Sequence, residues 1–457
     1  MLDQLTSLPL TLLAFVAVLT VLVFVHEMGH YLVARWNGVR VEVFSIGFGP
    51  ELFGWTDKHA TRWKVAAIPL GGYVKFFGDA DAASAPGSDD GMSEEERAVS
   101  FHHKSLKARA AIVAAGPLAN FAYAIVVLAV MFVFVGERVT APVVGRVLPD
   151  SPAQAAGFEQ GDRILAVDGD RIRRFEQVDE AAITNPDRTL VFTVARDGLN
   201  RDITVTPEGR TPTNPDSPLR RFGYLGLWPA HPAEIGSVMA DSAAQAAGLQ
   251  PGDRLVAVDG QAVAYFEQLQ DLVARSGGRP LALTLLRGER ELQVSLTPRR
   301  QTYRRQDGQE VERLLIGITA ASQPPVRYGP GVALVESVRV SADMVVKTFD
   351  YLGEMILGER GTEELGGPIR IAQVSGQAAR VGLEQLIKLS VLLSLNLGLI
   401  NLFPIPMLDG GHLAFYAYEA VRGRPPTERV LEFAFRVGLV LLVCLMAFVT
   451  VNDLIYG

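Results

Sequence analysis

The chain has 457 residues, 49% of them hydrophobic and 20% charged, with a formal net charge of -7. That balance points to a membrane protein carrying soluble parts, and the acidic surplus excludes the basic surface that a nucleic-acid partner requires. The single cysteine, Cys444, lies in an apolar run and permits neither a disulfide nor a thiolate metal cluster, so a bound metal must use histidine and carboxylate.

The first charge-free run, Gln4 to Val25, is long enough to cross a hydrocarbon core of about 30 Å. It reads as a retained span rather than a cleaved leader, because Asp3 stands where a leader carries basic residues and the polar motif follows within the same helix. That motif is "VHEMGH", which places His26, Glu27 and His30 where an unpaired titratable group is costly. His26 and His30 are spaced i, i+4 on one helix face and can reach one ion; Glu27, about 100° round from His26, can address a ligand of that ion without being one. This is the H-E-x-x-H arrangement, in which two histidines bind zinc and the glutamate is the general base. The competing interpretation is a structural polar cluster joining helices.

Next come two strand-like stretches, "VEVFSIGFGP" (41–50) and "WKVAAIPLGGYVKF" (63–76). Asp79 to Glu96, acidic and rich in Ala, Gly and Ser, reads as a linker without assigned function. His102 and His103, in "FHHKS", have no matching carboxylate pattern and are expected at the surface. Ala110 to Gly136 forms the second span.

A repeat follows. "GRVLPDSPAQAAGFEQGDRILAVDGDRI" (145–172) and "GSVMADSAAQAAGLQPGDRLVAVDGQAV" (236–263) align without gaps at an offset of 91, with 16 of 28 positions identical, which predicts a shared fold. Each copy runs from a strand into a short helix ended by Gly157 or Gly248, a Gly-Asp-Arg turn, a buried strand and an Asp-Gly hairpin. That order resembles the PDZ domain in its bacterial, circularly permuted form. The resemblance implies that "YLGL" (224–227) and "LIGI" (315–318), with Gly226 and Gly317, form the loop and edge strand that capture a peptide terminus. A core strand with a glycine at a close approach, or a steric gate on substrate access, are the alternatives.

Residues 331–358 carry apolar positions at helical spacing and predict an amphipathic helix on the membrane surface or against the third span. The third span, Leu389 to Leu408, contains Asn396 and Asn401 and is broken by Pro404 and Pro406 before Asp409. Irregular backbone at membrane depth is tolerated where it is buried in protein or lines a watery cavity, so Asp409 is a reachable third ligand for a zinc site that two histidines leave incomplete. His412 could compete as ligand, and Asp409 could instead be a turn residue before Gly410 and Gly411. Val437 to Asn452 is the fourth span, with Arg436 able to snorkel. Basic residues (Arg35, Arg40, Lys104, Lys107, Arg109; Arg422, Arg424, Arg429, Arg436) mark the first and third connections as cytoplasmic, leaving both termini and the repeat outside and bringing His30 and Asp409 to similar depth.

H-E-x-x-H in span one, "GFGP" (47–50), "PLGGYVK" (69–75), "AAGPLANF" (114–121), L-D-G after span three and the paired external repeats together resemble the site-2 protease family of intramembrane zinc metalloproteases, nearest its bacterial regulator-of-sigma-E branch. The resemblance covers nearly the whole chain. It implies a polytopic α-helical membrane protein of four transmembrane helices, with two tandem circularly permuted PDZ domains (α+β) inserted between the second and third spans. The corresponding map is 1–36 (transmembrane helix 1), 37–107 (cytoplasmic loop with a membrane-associated β-hairpin region), 108–137 (helix 2), 138–230 and 231–322 (periplasmic PDZ domains), 323–384 (periplasmic amphipathic helical region), 385–412 (helix 3 with L-D-G) and 430–453 (helix 4). It also implies one Zn2+ per chain held by His26, His30 and Asp409, Glu27 as base, and a bacterial inner-membrane location with the active site towards the cytoplasm.

The substrates so implied are single-span membrane proteins, typically an anti-sigma factor already shortened by another protease, and also leftover signal peptides. A substrate helix must unwind to expose its amide, and an extended segment could then add to the edge of the strands around Gly71 and Gly72. Asn401, in an N-x-x-P-x-P stretch with Pro404, is the expected substrate or oxyanion contact. The alternatives from other classes are a PDZ membrane scaffold with a structural ion and a metal transporter; the latter would need ionisable residues along spans two and four, which have none.

Overall fold

The computed structural model describes residues 2–79, 92–212, 221–304, 310–358, 361 and 365–456, so most of the acidic linker (80–91) lies outside the described residues. The chain divides into two units, one of residues 1–135 with 327–457 and one of residues 136–326. In chain order the helices are α1 (Leu2–Trp36), α2 (Glu94–Val99), α3 (Leu106–Phe134), α4 (Pro152–Ala155), α5 (Phe175–Ile183), α6 (Ala243–Ala246), α7 (Phe266–Arg275), α8 (Pro330–Leu357), α9 (Pro368–Val381), α10 (Leu383–Asn401), α11 (Asp409–Arg422) and α12 (Glu428–Tyr456). Among the described residues, four stretches are long and apolar enough to cross a membrane: Leu8–Trp36, Leu106–Phe134, Leu383–Asn401 and Arg429–Tyr456.

In the first unit α1 continues unbroken through His26 and His30 to Trp36. It ends where Gly38 turns to φ +69° and the Gly38 and Val39 amides close on Arg35 and Ala34, the left-handed C-terminal turn that glycine adopts without strain. Small residues let α1 and α3 approach closely: an added Cβ at Gly29 would lie 2.2 Å from the Ala115 carbonyl oxygen. Pairs of small or polar residues join α10 to α3, with Ser394 Oγ donating to the Asn120 carbonyl at 3.0 Å and the hydroxyls of Tyr123 and Ser390 3.0 Å apart.

Strands β1 (Val41–Thr56) and β2 (Arg62–Phe76) make more than a simple hairpin. Phe44 pairs with both Trp63 and Val74, and Ser45 with both Lys64 and Tyr73, so the start of β1 lies between two runs of β2 while Glu51–Thr56 pairs outside the first run. The bends fall at Gly47, Gly49 and Gly71, all at positive φ. Phe44, Val74, Phe76 and Phe101 pack with Tyr31, Ala34, Ile112 and Val113, pinning this sheet to α1 and α3. Burial of the Phe, Ile and Val side chains, each contributing about 1.5–3 kcal/mol, is what holds the last run of β2 beside α1.

The third apolar segment departs from the expected helix over 385–412. The helix stops at Asn401, Phe403 to Leu408 form turns, and Asp409 begins a separate helix, α11. Pro404 and Pro406 cannot supply the amides that would continue it, and Met407 takes φ +82°, rarely adopted by a residue with a Cβ. The chain folds back so tightly that an added Cβ at Gly410 would meet the Leu402 and Phe403 carbonyl oxygens at 2.3 Å. Arg109 of α3 secures α11 through a 2.7 Å ion pair with Glu419. Residues 323–384, expected to be an amphipathic helical region, hold the helices α8 and α9. α9 packs against α1 with Gly376 on Thr11, and its N-terminal amides are capped from α12: Asp453 accepts from Gly367, Ile369 and Arg370 at 2.8–3.0 Å.

The second unit consists of two similar β modules, each with a four-stranded antiparallel sheet and its own core. Equivalent strands are 163–167, 170–171, 190–196 and 199–205 in one and 254–258, 261–262, 281–287 and 290–296 in the other. Asp168-Gly169 and Asp259-Gly260 turn the hairpins at positive φ. In both modules the aspartate of Gly-Asp-Arg is buried under an arginine 34 residues on. Arg196 Nε and Nη2 donate to Asp162 at 2.6 Å, and Arg287 makes the same pair to Asp253 at 2.7 and 2.8 Å.

Candidate metal centre

Because α1 is unbroken, His26 and His30 stand one turn apart on the face towards α3, with Nε2 atoms 3.2 Å apart. The N-terminus of α11 brings Asp409 to the same point, its Oδ2 3.2 Å from His26 Nε2 and 3.6 Å from His30 Nε2. These three are the group of ligand atoms able to hold a metal ion among the described residues. The His30 Nδ1 donates to the Ile112 carbonyl at 2.9 Å, so a neutral His30 presents its lone pair at Nε2. Asp409 Oδ2 is buried and, among the described residues, has no hydrogen-bond partner. An unpartnered carboxylate oxygen facing two imidazole nitrogens fits a cation of the kind bound by two histidines and one carboxylate.

Room for this arrangement depends on Gly116 of α3, where an added Cβ would lie 2.2 Å from His30 Nε2. Glu27 lines the same cavity, of about 400 Å³, together with Gly71, Gly72, Asn401, Asp409 and His412. The Val74 backbone amide faces the Glu27 carboxylate, and an added Cβ at Gly72 would lie 3.2 Å from Glu27 Cγ. The edge of β2 and the end of α10 therefore meet over the His/Glu/Asp cluster. His412 reaches the cavity wall but packs its ring against Phe435.

The other residues singled out in the sequence fall elsewhere. Pro404 shapes the turn after α10 without lining the cavity, and Asn396 accepts from Thr348 of α8 at 3.4 Å. Gly226 and Gly317 belong to the β modules, each at positive φ against Ser151 and Ser242 respectively. Gly317 opens on a cavity of about 580 Å³ with Met239, Phe266, Leu269 and Val273. His102, expected at the surface, is a correction: its Nε2 lies 2.9 Å from Asp79 Oδ1, a buried carboxylate that the linker reading left unassigned. Sequence reasoning did not identify the roles of Gly116, Ile112 and Asn120, although "AAGPLANF" contains two of them; a glycine in an otherwise continuous apolar helix was the available signal.

The model of peptidase family M50 matches residues 14–445. A protein of Agrobacterium fabrum described as a zinc metalloprotease is 39% identical over 446 residues, covering 96% of this chain and 94% of that one. The regulator of sigma E protease of Salmonella typhimurium is 37% identical over 97% of this chain and 98% of its own length. Among solved structures, the PDZ domain of an SdrC-like protein from Listeria monocytogenes matches 19% of this chain and 84% of that chain at 23% identity, with a TM-score of 0.16 that carries no weight for the fold. A family match along almost the entire sequence, with relatives of this identity over nearly their full lengths, establishes that the chain belongs to peptidase family M50 and is a multi-pass membrane metalloprotease.

Proposed function

We propose that this protein is an intramembrane zinc endopeptidase that cuts single-span membrane proteins within their membrane segments. The observation that carries this is the convergence of His26 Nε2, His30 Nε2 and Asp409 Oδ2 at one point, with Glu27 in the same cavity. The two histidines and Asp409 would hold one zinc ion, as the names of the relatives suggest. Zinc bound there supplies Lewis-acid activation of water and of the scissile carbonyl.

Glu27 takes the proton of the attacking water on its carboxylate and returns it to the leaving amide nitrogen. Asn401, which lines the same cavity, would offer its amide N–H to the carbonyl oxygen. The Gly71–Val74 run receives the substrate as an added strand, which keeps it extended over Glu27. In the second unit, Gly226 and Gly317 mark where each module, a PDZ domain in this proposal, would bind a peptide terminus. The relative named as a regulator of sigma E protease supports a part in controlling a sigma factor, for which a cut anti-sigma factor in a bacterial inner membrane is the proposed substrate. Basic residues at the span ends support modules and termini outside and a site opening towards the cytoplasm.

The test uses purified full-length protein, a single-span substrate and zinc analysis. Glu27→Gln is expected to keep its zinc and lose about 10²–10⁴-fold in cleavage rate. Cleavage at the wild-type rate by Glu27→Gln would refute the role of Glu27, and wild-type protein without zinc would refute the centre.

A further inference from the structure

One helix, α3, faces the outer nitrogens of both histidines. We propose that Asn120 of α3 is a positioning residue: its Oδ1 accepts the Nδ1–H of His26 and so fixes the tautomer that directs the His26 Nε2 lone pair at the metal. This rests on the metal-centre assignment above.

A neutral imidazole has one N–H, and the nitrogen that binds a metal cannot carry it. For His30 the requirement is met, because Ile112 offers only a carbonyl oxygen to Nδ1. His26 needs an acceptor in the corresponding place. The atom there, 3.1 Å from its Nδ1, is drawn as the Asn120 amide nitrogen, a donor. In that sense His26 would point an N–H into the space shared with His30 Nε2 and Asp409 Oδ2. The two ends of an amide are assigned from their hydrogen bonds rather than seen directly, and Asn120 Oδ1 is buried with no hydrogen-bond partner. Among the described residues, no other group therefore holds the amide in that sense. A half-turn brings Oδ1 to His26 Nδ1 and leaves both imidazoles presenting lone pairs to Asp409. The residue cannot retreat: it is fully buried, its carbonyl accepts from Ser394, and Gly398 of α10 lies against its Cβ.

The test is zinc affinity of the full chain in detergent, by competition with a chromophoric chelator. Asn120→Leu, which keeps the size and removes the acceptor, is expected to bind about 10–100-fold more weakly, whereas Asn120→Asp stays within about threefold of wild type. Equal losses in both variants, or an Asn120→Leu affinity within about threefold of wild type, overturn the assignment. His26→Ala separates the two levels. If it binds zinc as wild type does, or if wild type binds none, the metal-centre assignment itself fails and the role of Asn120 falls with it. Should the Asn120 variants not fold, ¹⁵N solid-state NMR of the zinc-loaded wild type decides, with His26→Ala identifying the signal. A protonated His26 Nδ1 is expected, and an unprotonated one overturns the proposal.

Discussion

Gly116 shows how much a single absent methyl group decides. The His30 ring occupies the space where its Cβ would be, with Nε2 2.2 Å from that position, and α3 can move away only by giving up the close contact of Gly29 with the Ala115 carbonyl. Gly116→Ala is therefore expected to displace the His30 ring and weaken zinc binding at least about tenfold, as read by chelator competition. Wild-type affinity in that variant would show that the ring has room to spare. The three residues of the His26, His30 and Asp409 cluster were legible in the sequence, because H-E-x-x-H fixes its own geometry on a helix and Asp409 is the carboxylate that follows the broken third span. Their supports were not. Whether Ile112 or its neighbour faces His30 depends on the rotation and axial offset of two helices separated by some 80 residues, which no local periodicity encodes.

At the scale of elements, the end of α10 and the cap on α9 place Asp409 and the outer helices. The proline pair announced the break, but the sequence reading kept Asp409 within the third span, because prolines reveal where a helix fails and not where the next begins. Helix α11 takes over at Asp409, and Gly410 and Gly411 permit the fold-back over the Leu402, Phe403 and Ile405 carbonyls. The α9–α12 junction depends on Asp453, 4% exposed, whose carboxylate satisfies three backbone N–H groups. Asp453→Ala leaves these donors without that acceptor and should cost about 1–3 kcal/mol. Hydrogen exchange should then quicken at residues 367–370, and unchanged protection there would mean that α9 is held by its contact with α1.

Across the whole molecule, the repeat was the most legible feature, since identity at an offset of 91 residues implies equal folds without knowledge of either. The reading of Gly-Asp-Arg as a mere turn was incomplete. Arg287 hydrogen-bonds the buried Asp253 and holds its carboxyl below the usual carboxylate range. A depressed folded-state pKa contributes stability that is present above the unfolded value, about 3.9, and is lost as pH falls through the lower folded value. Asp253→Asn should thus lower the melting temperature of the second module by a few degrees at pH 7, with the gap to wild type closing as pH falls towards 3. A gap independent of pH would assign the effect to packing alone.

The outer contacts of the histidine pair also act as a ruler along the first unit. Ile112 and Asn120 are eight residues apart on α3, and their partners His30 and His26 are four apart on α1 in the opposite chain direction. A slide of α3 by one residue, about 1.5 Å, would detach both at once. The proposed metal centre therefore doubles as a registration mark between two helices. Any movement that parts them must either preserve their axial alignment or release both histidine contacts.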